Sequence, residues 1–212
     1  MNKFKIVSIV LGAALLVALA RLVYVSNNNV VEAPAMSKAE VVLENIHNRK
    51  SVRKFTEQAV SREQLDTLLR AAMAAPSGWD LRPWCFAVLD DRNVIDKLAE
   101  KMPQTDLLKK APSVIVVCGD MSMTDKNGDK PELWEYDCSL ASENLLLAAE
   151  ALGLGAVWMK VSPDEERILA VQEALGLPKY VTPLNVIPVG YPAGDAQPKD
   201  KYDAANIHFN EW

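Results

Sequence analysis

Apolar residues follow two different periods along the chain after residue 36. Spacings of three and four residues predict amphipathic helices, whereas short unbroken apolar runs predict buried strands. The predicted helices begin at residues 37, 61, 132 and 162, and the predicted strands cover residues 84–89, 113–118, 156–159 and 184–189. Because helices and strands mix without a regular strand–helix–strand rhythm, the pattern predicts an α+β fold with helices around a small mixed β-sheet.

Capping residues mark where the predicted helices begin. Ser37 and Ser61 are each followed three residues later by Glu or Gln, which is the spacing of a capping box. Ser162 is predicted to cap the last helix in a similar way. The helix predicted over residues 132–152 has few polar residues in its second half. We therefore expect it to be central and largely buried.

The first 25 residues carry a different signal. Lys3 and Lys5 precede an uncharged and mostly apolar run over residues 6–20, which ends in Ala-Leu-Ala. A charged start, an apolar centre and a small-residue end are typical of a cleaved signal peptide. The alternative is an uncleaved anchor over residues 6–25, since twenty helical residues at about 1.5 Å each just span a hydrocarbon core of about 30 Å. Either way, we expect an exported or membrane-anchored protein whose domain lies outside the cytoplasmic membrane, on the periplasmic side.

The chain is thus predicted to have three parts: a signal peptide or membrane anchor over residues 1–25, a polar linker over 26–36 and one globular domain over 37–212. A chain of 212 residues, half of them apolar, suits a single core. The net charge of −5 argues against a nucleic-acid partner, because such a partner requires a broad basic face.

Residues that build metal or hydrolytic sites are scarce. The chain has three cysteines, two histidines and no Cys-x-x-Cys pair. Neither a zinc site nor a Ser-His-Asp triad is therefore predicted. Cys85 and Cys118 fall in predicted strands, where we expect buried and inert thiols.

One short segment concentrates positive charge in this acidic chain. Arg49, Lys50, Arg53 and Lys54 surround Ser51. In an extended segment, Arg49, Ser51 and Arg53 point to one side and the two lysines lie elsewhere. Two guanidinium groups beside a hydroxyl suit a phosphate monoester, which accepts several charge-assisted hydrogen bonds. The alternative is a solvated basic turn between two helices.

Five segments in sequence order resemble the nitroreductase family, and together they cover the predicted domain. The first is Arg49-x-Ser51-x-Arg53-x-Phe55, and the second is the Ala-Pro-Ser-Gly-Trp-Asp-Leu-Arg-Pro-Trp stretch over 75–84. The third runs from Asp-Cys at 137–138 to Gly-Leu-Gly-Ala-Val-Trp at 153–158, the fourth is Pro-Val-Gly-Tyr-Pro at 188–192, and the fifth is Lys-Asp-Lys at 199–201, followed by the Ile-His-Phe-Asn-Glu-Trp ending.

The resemblance implies an FMN cofactor and a set of residues that hold it. The expected phosphate and ribityl contacts come from the basic segment and from the C-terminal lysines. The expected contacts to the flavin ring come from the loop after the second helix and from the backbone after the central helix. The expected cofactor-binding residues are Arg49, Lys50, Ser51, Arg53, Pro76, Ser77, Asp80, Arg82, Lys160, Val161, Lys199 and Lys201.

Two departures from the family pattern concern the flavin ring. Asp80 and Arg82 stand where the family usually has Asn and Gln. A carboxylate only accepts hydrogen bonds, so Asp80 would disfavour the negative charge of reduced flavin, and Arg82 would offset it. Our hypothesis is that the pair tunes the flavin potential, and the alternative is an ordinary salt bridge that shapes the loop. The second departure is Lys160-Val161, which replaces a glycine-containing pair whose backbone N–H approaches flavin N5 in relatives; a backbone donor needs no particular side chain.

The resemblance implies that the flavin, rather than a protein nucleophile, carries the chemistry. A reduced donor, expected to be NAD(P)H, passes a hydride to flavin N5, and a nitro- or quinone-type acceptor then takes it by ping-pong kinetics. The alternatives are another chemistry on the same fold, such as reductive dehalogenation or flavin breakdown, a non-enzymatic electron-relay module, and a degenerate fold without cofactor.

The resemblance also implies a homodimer in which the C-terminal tails are exchanged. Phe209 and Trp212 lie in a polar tail without a core pattern of its own, so we expect them to dock on a second subunit. The predicted location leaves the donor open, because NAD(P)H is a cytoplasmic reductant. A different donor outside the membrane, the opposite topology, or retention in the cytoplasm each resolves the conflict.

Overall fold

The structure is a computed structural model that describes residues 15–21, 36–102 and 105–212, with residue 105 described by its backbone alone. The chain divides into two compact units, residues 1–41 and 42–212. Of the predicted leader and linker, the structure describes only residues 15–21, which are helical, and residue 36; the rest lies outside the described residues. Across the described ranges, no helix combines the length and apolar character that a membrane crossing requires.

From residue 36 onward, the described chain forms six helices and five strands. The helices are α1 (Lys38–Asn48), α2 (Arg62–Met73), α3 (Arg92–Lys101), α4 (Thr105–Lys109), α5 (Trp134–Ala151) and α6 (Glu165–Leu175). The strands are β1 (Trp84–Leu89), β2 (Ser113–Asp120), β3 (Gly155–Ala156), β4 (Met159–Lys160) and β5 (Val181–Gly190). Short 3₁₀ turns cover Gly78–Asp80 and Ala204–Asn206.

The five strands form one sheet in the order β1-β2-β5-β3, and β4 also pairs with β5. All of these pairings are antiparallel. The sequence predicted a mixed sheet. Within the described ranges, the only parallel pairing is the bridge between Ser51 and Ala156. The predicted α+β class, with helices around a small sheet, is confirmed.

The strand predicted over 156–159 is in fact two short strands, and Pro188 supplies the reason. β3 and β4 pair with β5 in one register, in which Val157 would lie opposite Pro188. The Val161 N–H donates to the Leu184 carbonyl, so residues 161 and 184 form a hydrogen-bonded pair of this ladder. In an antiparallel ladder every second pair is hydrogen-bonded, so Val157 and Pro188 would form such a pair as well. Proline has no N–H to donate, so the ladder is interrupted there.

The sheet separates two apolar clusters. The first lies against α2 and α5 and includes Leu68, Ile115 and Leu145. The second lies against α3, α4 and α6 and includes Leu98 and Val116. The expected buried role of α5 is confirmed, because its buried residues recur every three or four positions: Asp137, Cys138, Ala141, Ser142, Leu145, Leu146 and Ala149.

Three local predictions differ from the structure. Helix α3, which Asp91 caps through a hydrogen bond to the Asn93 N–H, was not predicted from the apolar pattern. The cap of α6 is Asp164 rather than Ser162, because the Asp164 carboxylate accepts from the Arg167 N–H. Helix α1 buries none of its residues, so its predicted apolar face is exposed in the single chain.

Candidate active site

The basic segment is held as an extended strand beside β3. The Val52 N–H donates to the Ala156 carbonyl at 3.0 Å, and Ser51 forms the parallel bridge to the same residue. The Val52 side chain is buried against Gly155, where an added Cβ would come within 2.6 Å of it. Because side chains alternate along an extended chain, Ser51 and Arg53 lie on the side opposite Val52, and both are exposed.

The first two cations of this segment bind carboxylates of α5. Arg49 Nε lies 3.2 Å from Glu143 Oε1. Lys50 Nζ lies 2.9 Å from Glu150 Oε1. These two ion pairs fasten the segment to the central helix. Arg53 has no ion pair in the described part of the chain, and its Nη1 donates to the Ser51 carbonyl at 3.4 Å.

Arg53 and Lys160, two of the predicted residues, line one cavity of about 170 Å³. The cavity also touches Trp158 and Arg167. Three cations therefore face one small space in a chain whose net charge is −5. Such a cluster is suited to a phosphate or another anionic group.

Arg167 is the residue of this cavity that the sequence patterns missed. Its Nε lies 3.1 Å from Asp164 Oδ2, and its Nη1 donates to the Lys160 carbonyl at 3.2 Å. The guanidinium thereby joins the start of α6 to β4. In the sequence, Arg167 stands in the first turn of a helix, where nothing distinguishes it from any solvated charge.

The two predicted backbone donors, at Lys160 and Val161, differ in whether the sheet already uses them. The Val161 N–H donates to the Leu184 carbonyl at 3.0 Å, so it is already used inside the sheet. Donors alternate in direction along an antiparallel ladder, so the N–H of Lys160 points away from β5. Of the two predicted backbone donors, Lys160 is the one directed out of the sheet, while the Val161 side chain is fully buried.

The loop that follows α2 carries Pro76, Ser77, Asp80 and Arg82. Asp80 and Arg82 form a two-fold ion pair, with Arg82 Nε donating to Asp80 Oδ1 at 2.6 Å and Arg82 Nη2 donating to Asp80 Oδ2. The hydrogen bonds from Arg82 lower the pKa of Asp80, and the same bonds raise the pKa of Arg82. Both side chains are exposed, at 71% and 60%, so the pair faces solvent in the single chain.

The backbone of this loop is unusual. Trp79, Asp80 and Arg82 all have φ between 51° and 58°, a left-handed region that non-glycine residues rarely adopt. Ser77 stabilises the turn by accepting the Arg82 N–H at 2.8 Å. The loop residues do not line the 170 Å³ cavity.

The C-terminal lysines are not brought to the cavity within one chain. Lys199 and Lys201 lie in an exposed tail, and neither side chain forms an ion pair with another of the described residues. The tail also exposes Phe209 at 85% and Trp212 at 100%. Within a single chain, Lys199 and Lys201 therefore do not meet the basic segment around one phosphate, as the sequence had predicted.

The cysteines lie close together across the sheet. Cys85 of β1 pairs in register with Cys118 of β2, and Cys138 of α5 packs on the opposite face, with Sγ 3.4 Å from the Cys118 carbonyl. The contact with Cys85, together with burial, raises the pKa of Cys118, and burial raises the pKa of Cys138. The expectation of buried thiols holds for Cys118, while Cys85 is partly exposed. In the described ranges, no group of His, Cys, Asp and Glu is arranged to hold a metal ion.

Known proteins match most of this chain. The model of the nitroreductase family matches residues 46–105 and 101–191. A protein of Methanothermobacter thermautotrophicus named "Putative NADH dehydrogenase/NAD(P)H nitroreductase" is 43% identical over 171 residues, which are 81% of this chain and 87% of that protein.

Solved structures match a similar share of this chain. A crystal structure of a protein of the same name from Parabacteroides distasonis has 49% identity and a TM-score of 0.75, over 81% of this chain and 99% of that one. An FMN-dependent nitroreductase from Clostridium difficile has 31% identity and a TM-score of 0.72, over 80% of this chain and 99% of that one. Since both the sequence and the fold match over most of their length, this chain belongs to the nitroreductase family.

Proposed function

We propose that this protein is an FMN-dependent oxidoreductase that takes electrons from NADH or NADPH and delivers them to a nitro- or quinone-type acceptor by ping-pong kinetics. Family membership makes it a flavin-type oxidoreductase. The names of its relatives, an NAD(P)H nitroreductase and an FMN-dependent nitroreductase, support FMN as the cofactor and NAD(P)H as the reductant.

The observation that carries the proposal is the cavity where Arg53, Lys160 and Arg167 meet. A flavin phosphate carries about two negative charges and is best held by several charge-assisted hydrogen bonds. The planar guanidinium group of Arg53 has no ion-pair partner in the described chain, so its N–H groups are available to bind a phosphate. The residues present thus fit the phosphate end of FMN. Ser51, two residues before Arg53, is exposed.

The proposed roles of the other residues follow from their positions. Arg49 and Lys50, through their ion pairs with α5, keep the phosphate-binding segment in place. The Lys160 N–H is directed out of the sheet and donates to the ring edge. Asp80 and Arg82 face the ring from the loop after α2, which Pro76 and Ser77 shape.

FMN, when bound, supplies the two-electron chemistry, and the protein binds, orients and shields the reactants. Ping-pong kinetics follow if the donor and the acceptor use the same face of the ring in turn. A small aromatic or quinone-like acceptor suits this arrangement, because a flat molecule stacks on a ring without needing a dedicated nucleophile.

We further propose that two copies of the chain complete the site. The cavity of about 170 Å³ is smaller than the roughly 300–1,000 Å³ of typical ligand pockets. The exposed tail with Phe209 and Trp212 needs a surface to cover it. Helix α1 exposes Val42 and Ile46 as well, at 57% and 46%. Exchange of the tails between two chains would cover these side chains and carry Lys199 and Lys201 to the cavity.

The proposed location is the periplasmic side of the membrane, by export or through an N-terminal anchor. This rests on the pattern of residues 1–25 alone. Cell fractionation followed by protease protection checks it, because an anchored outward domain is digested in intact spheroplasts. A protein found only in the cytosolic fraction would contradict it.

Anaerobic reduction tests the central proposal. The full-length protein is purified, its flavin content is measured, and NADH or NADPH is added while the flavin absorbance band is followed. Bleaching by either donor, recovery on adding menadione or nitrofurazone, and parallel double-reciprocal plots are expected. A colourless protein that does not bind added FMN at micromolar concentrations, or a flavin that neither donor reduces, contradicts the proposal.

A further inference from the structure

Two cysteines stand directly opposite each other on neighbouring strands, Cys85 on β1 and Cys118 on β2. Opposite side chains of an antiparallel pair lie on the same face of the sheet, and both cysteines adjoin the apolar cluster that packs against α3, α4 and α6. Cys138 belongs to the cluster on the other face. The first two sulfur atoms are therefore neighbours, and the sheet separates them from the third.

The backbone spacing at this pair suits a disulfide bond. The Asp120 N–H donates to the Pro83 carbonyl at 2.7 Å, so residues 83 and 120 form a hydrogen-bonded pair. Every second pair of an antiparallel ladder is of this kind, so Cys85 and Cys118 form the next one, with Cα atoms about 5.5 Å apart. Disulfides span Cα distances of about 4.4–6.8 Å. Opposite Cβ atoms must also come about 1 Å closer, and β1 can supply this movement because it pairs with one strand only in the described sheet.

The two thiols differ in exposure and in acidity. Cys85 is partly exposed, whereas Cys118 is buried. The hydrogen bond from the Cys118 thiol lowers the pKa of Cys85 and outweighs burial and the charge of Asp120, which raise it. The same contact, together with burial, raises the pKa of Cys118. Because the thiolate is the reactive form, Cys85 is the sulfur that an outside reagent meets first, and Cys118 is the sulfur that reacts second.

We propose that Cys85 and Cys118 form a dithiol–disulfide site that an organic disulfide oxidises. The Cys85 thiolate attacks one sulfur of the reagent, forms a mixed disulfide and expels a thiolate, which takes up the proton that Cys85 lost. Cys118 then attacks the Cys85 sulfur as its own proton leaves, forms the Cys85–Cys118 bond and expels the second thiol. Two protein thiols are oxidised, and one disulfide of the reagent is reduced to two thiols.

The bond would tie the edge strand β1, and the loop with Arg82 that precedes it, to β2. The inference depends neither on bound FMN nor on the proposed electron donor. It agrees with the proposed location outside the cytoplasmic membrane, because disulfides form and persist in oxidising compartments.

Oxidised glutathione tests the proposal on the full-length protein. After reaction and alkylation in denaturant, the wild type is expected to keep one of its three free thiols. A non-reducing digest is expected to join the peptides that carry Cys85 and Cys118, and dithiothreitol is expected to restore all three thiols. Cys138→Ala is the matched control and is expected to form the same link. Cys85→Ser is expected to form none, and Cys118→Ala is expected to stop at a mixed disulfide of Cys85 with glutathione.

The wild-type protein decides the proposal even where a variant does not fold. The proposal is overturned if all three thiols survive the oxidation, or if they react only in urea. It is equally overturned if the wild type accumulates the glutathione adduct at Cys85 without closing the bond, or if the link joins Cys138 or a second chain.

Discussion

Asp137 holds Gly78: the Gly78 N–H donates to Asp137 Oδ1 at 2.9 Å, although the two residues lie on different elements. Asp137 Oδ2 also accepts from Ser77 Oγ at 3.2 Å. The carboxylate is almost completely buried, and no cation pairs with it among the described residues. An added Cβ at Gly78 would lie 2.8 Å from the end of the Leu133 side chain, so a larger residue would have to displace that methyl group. The first turns of α5 thus position the loop that carries Asp80 and Arg82.

We predict that Asp137→Ala destabilises the protein and weakens FMN binding. The Gly78 N–H would lose its acceptor in a partly buried place. A fully buried unsatisfied donor costs about 1–3 kcal/mol, so the lower end of that range is expected here. Asp137→Asn keeps one acceptor oxygen and is expected to lose less. Urea unfolding and FMN titration measure the two effects.

Asp66→Ala is the matched control for that series. Asp66 is 59% exposed and, among the described residues, pairs with Arg70 on the same helix, so its loss should cost less than about 1 kcal/mol. If Asp137→Ala unfolds at the same urea concentration as Asp66→Ala, the buried contact does not stabilise the loop.

We predict that Asp80→Asn raises the flavin midpoint potential. Removing the carboxylate removes a negative charge that opposes reduced flavin and leaves the Arg82 cation unpaired. Because both side chains are exposed and therefore screened, a shift on the order of 10–30 mV is expected. Spectroelectrochemistry of the FMN-loaded protein measures it.

Asp66→Asn, with the same charge change on a remote helix face, serves as the control for the potential. If Asp80→Asn and Asp66→Asn have the same flavin midpoint potential, the Asp80–Arg82 ion pair does not tune the flavin and only shapes the loop. The pH range of this pair depends on the lowered pKa of Asp80. The stability that the Asp80–Arg82 pair contributes to the folded protein is fully present above the ordinary pKa of an aspartate. It is lost as the pH falls through the lowered pKa of Asp80.

We predict that Arg53→Gln weakens FMN binding far more than Lys50→Gln does. Arg53 lines the cavity, whereas Lys50 is engaged with Glu150. Loss of a charged hydrogen bond to phosphate should raise the Kd for FMN about ten- to a hundred-fold, and Lys50→Gln should change it less than about three-fold. Quenching of FMN fluorescence on binding gives both values. Equal Kd values for the two variants would remove Arg53 from the phosphate site.

We predict that Phe209→Ala combined with Trp212→Ala dissociates the proposed homodimer. Exposed aromatic side chains that anchor an interface each contribute about 2 kcal/mol or more, so the dimer Kd should rise roughly a thousand-fold. Sedimentation velocity across a dilution series measures this constant. Tyr180→Ala removes a half-exposed aromatic outside the tail and is the control. A wild-type chain that sediments as a monomer at micromolar concentrations would contradict the prediction.

Local sequence determined much of this fold. The capping box at Ser61 and Gln64 marks the start of α2, and both of its hydrogen bonds are present. Apolar runs located β1 and β2, and the spacing of apolar residues located the buried face of α5. These features depend on neighbours within a few residues, so a pattern along the chain is sufficient to reveal them. The motif order was equally visible, and it named the family.

Tertiary structure decided which of the candidate residues meet. Among neighbouring cations, Arg49 and Lys50 bind carboxylates of α5, while Arg53 faces the cavity. No local pattern separates them, because the choice depends on Glu143 and Glu150, about a hundred residues away in the sequence. Arg167 joins the cavity only because α6 packs beside β4, and Pro188 splits β3 from β4 only because β5 aligns with them. The packing of the sheet and its helices decided which distant segments of the chain meet. It also decided which hydrogen bonds those contacts make or prevent.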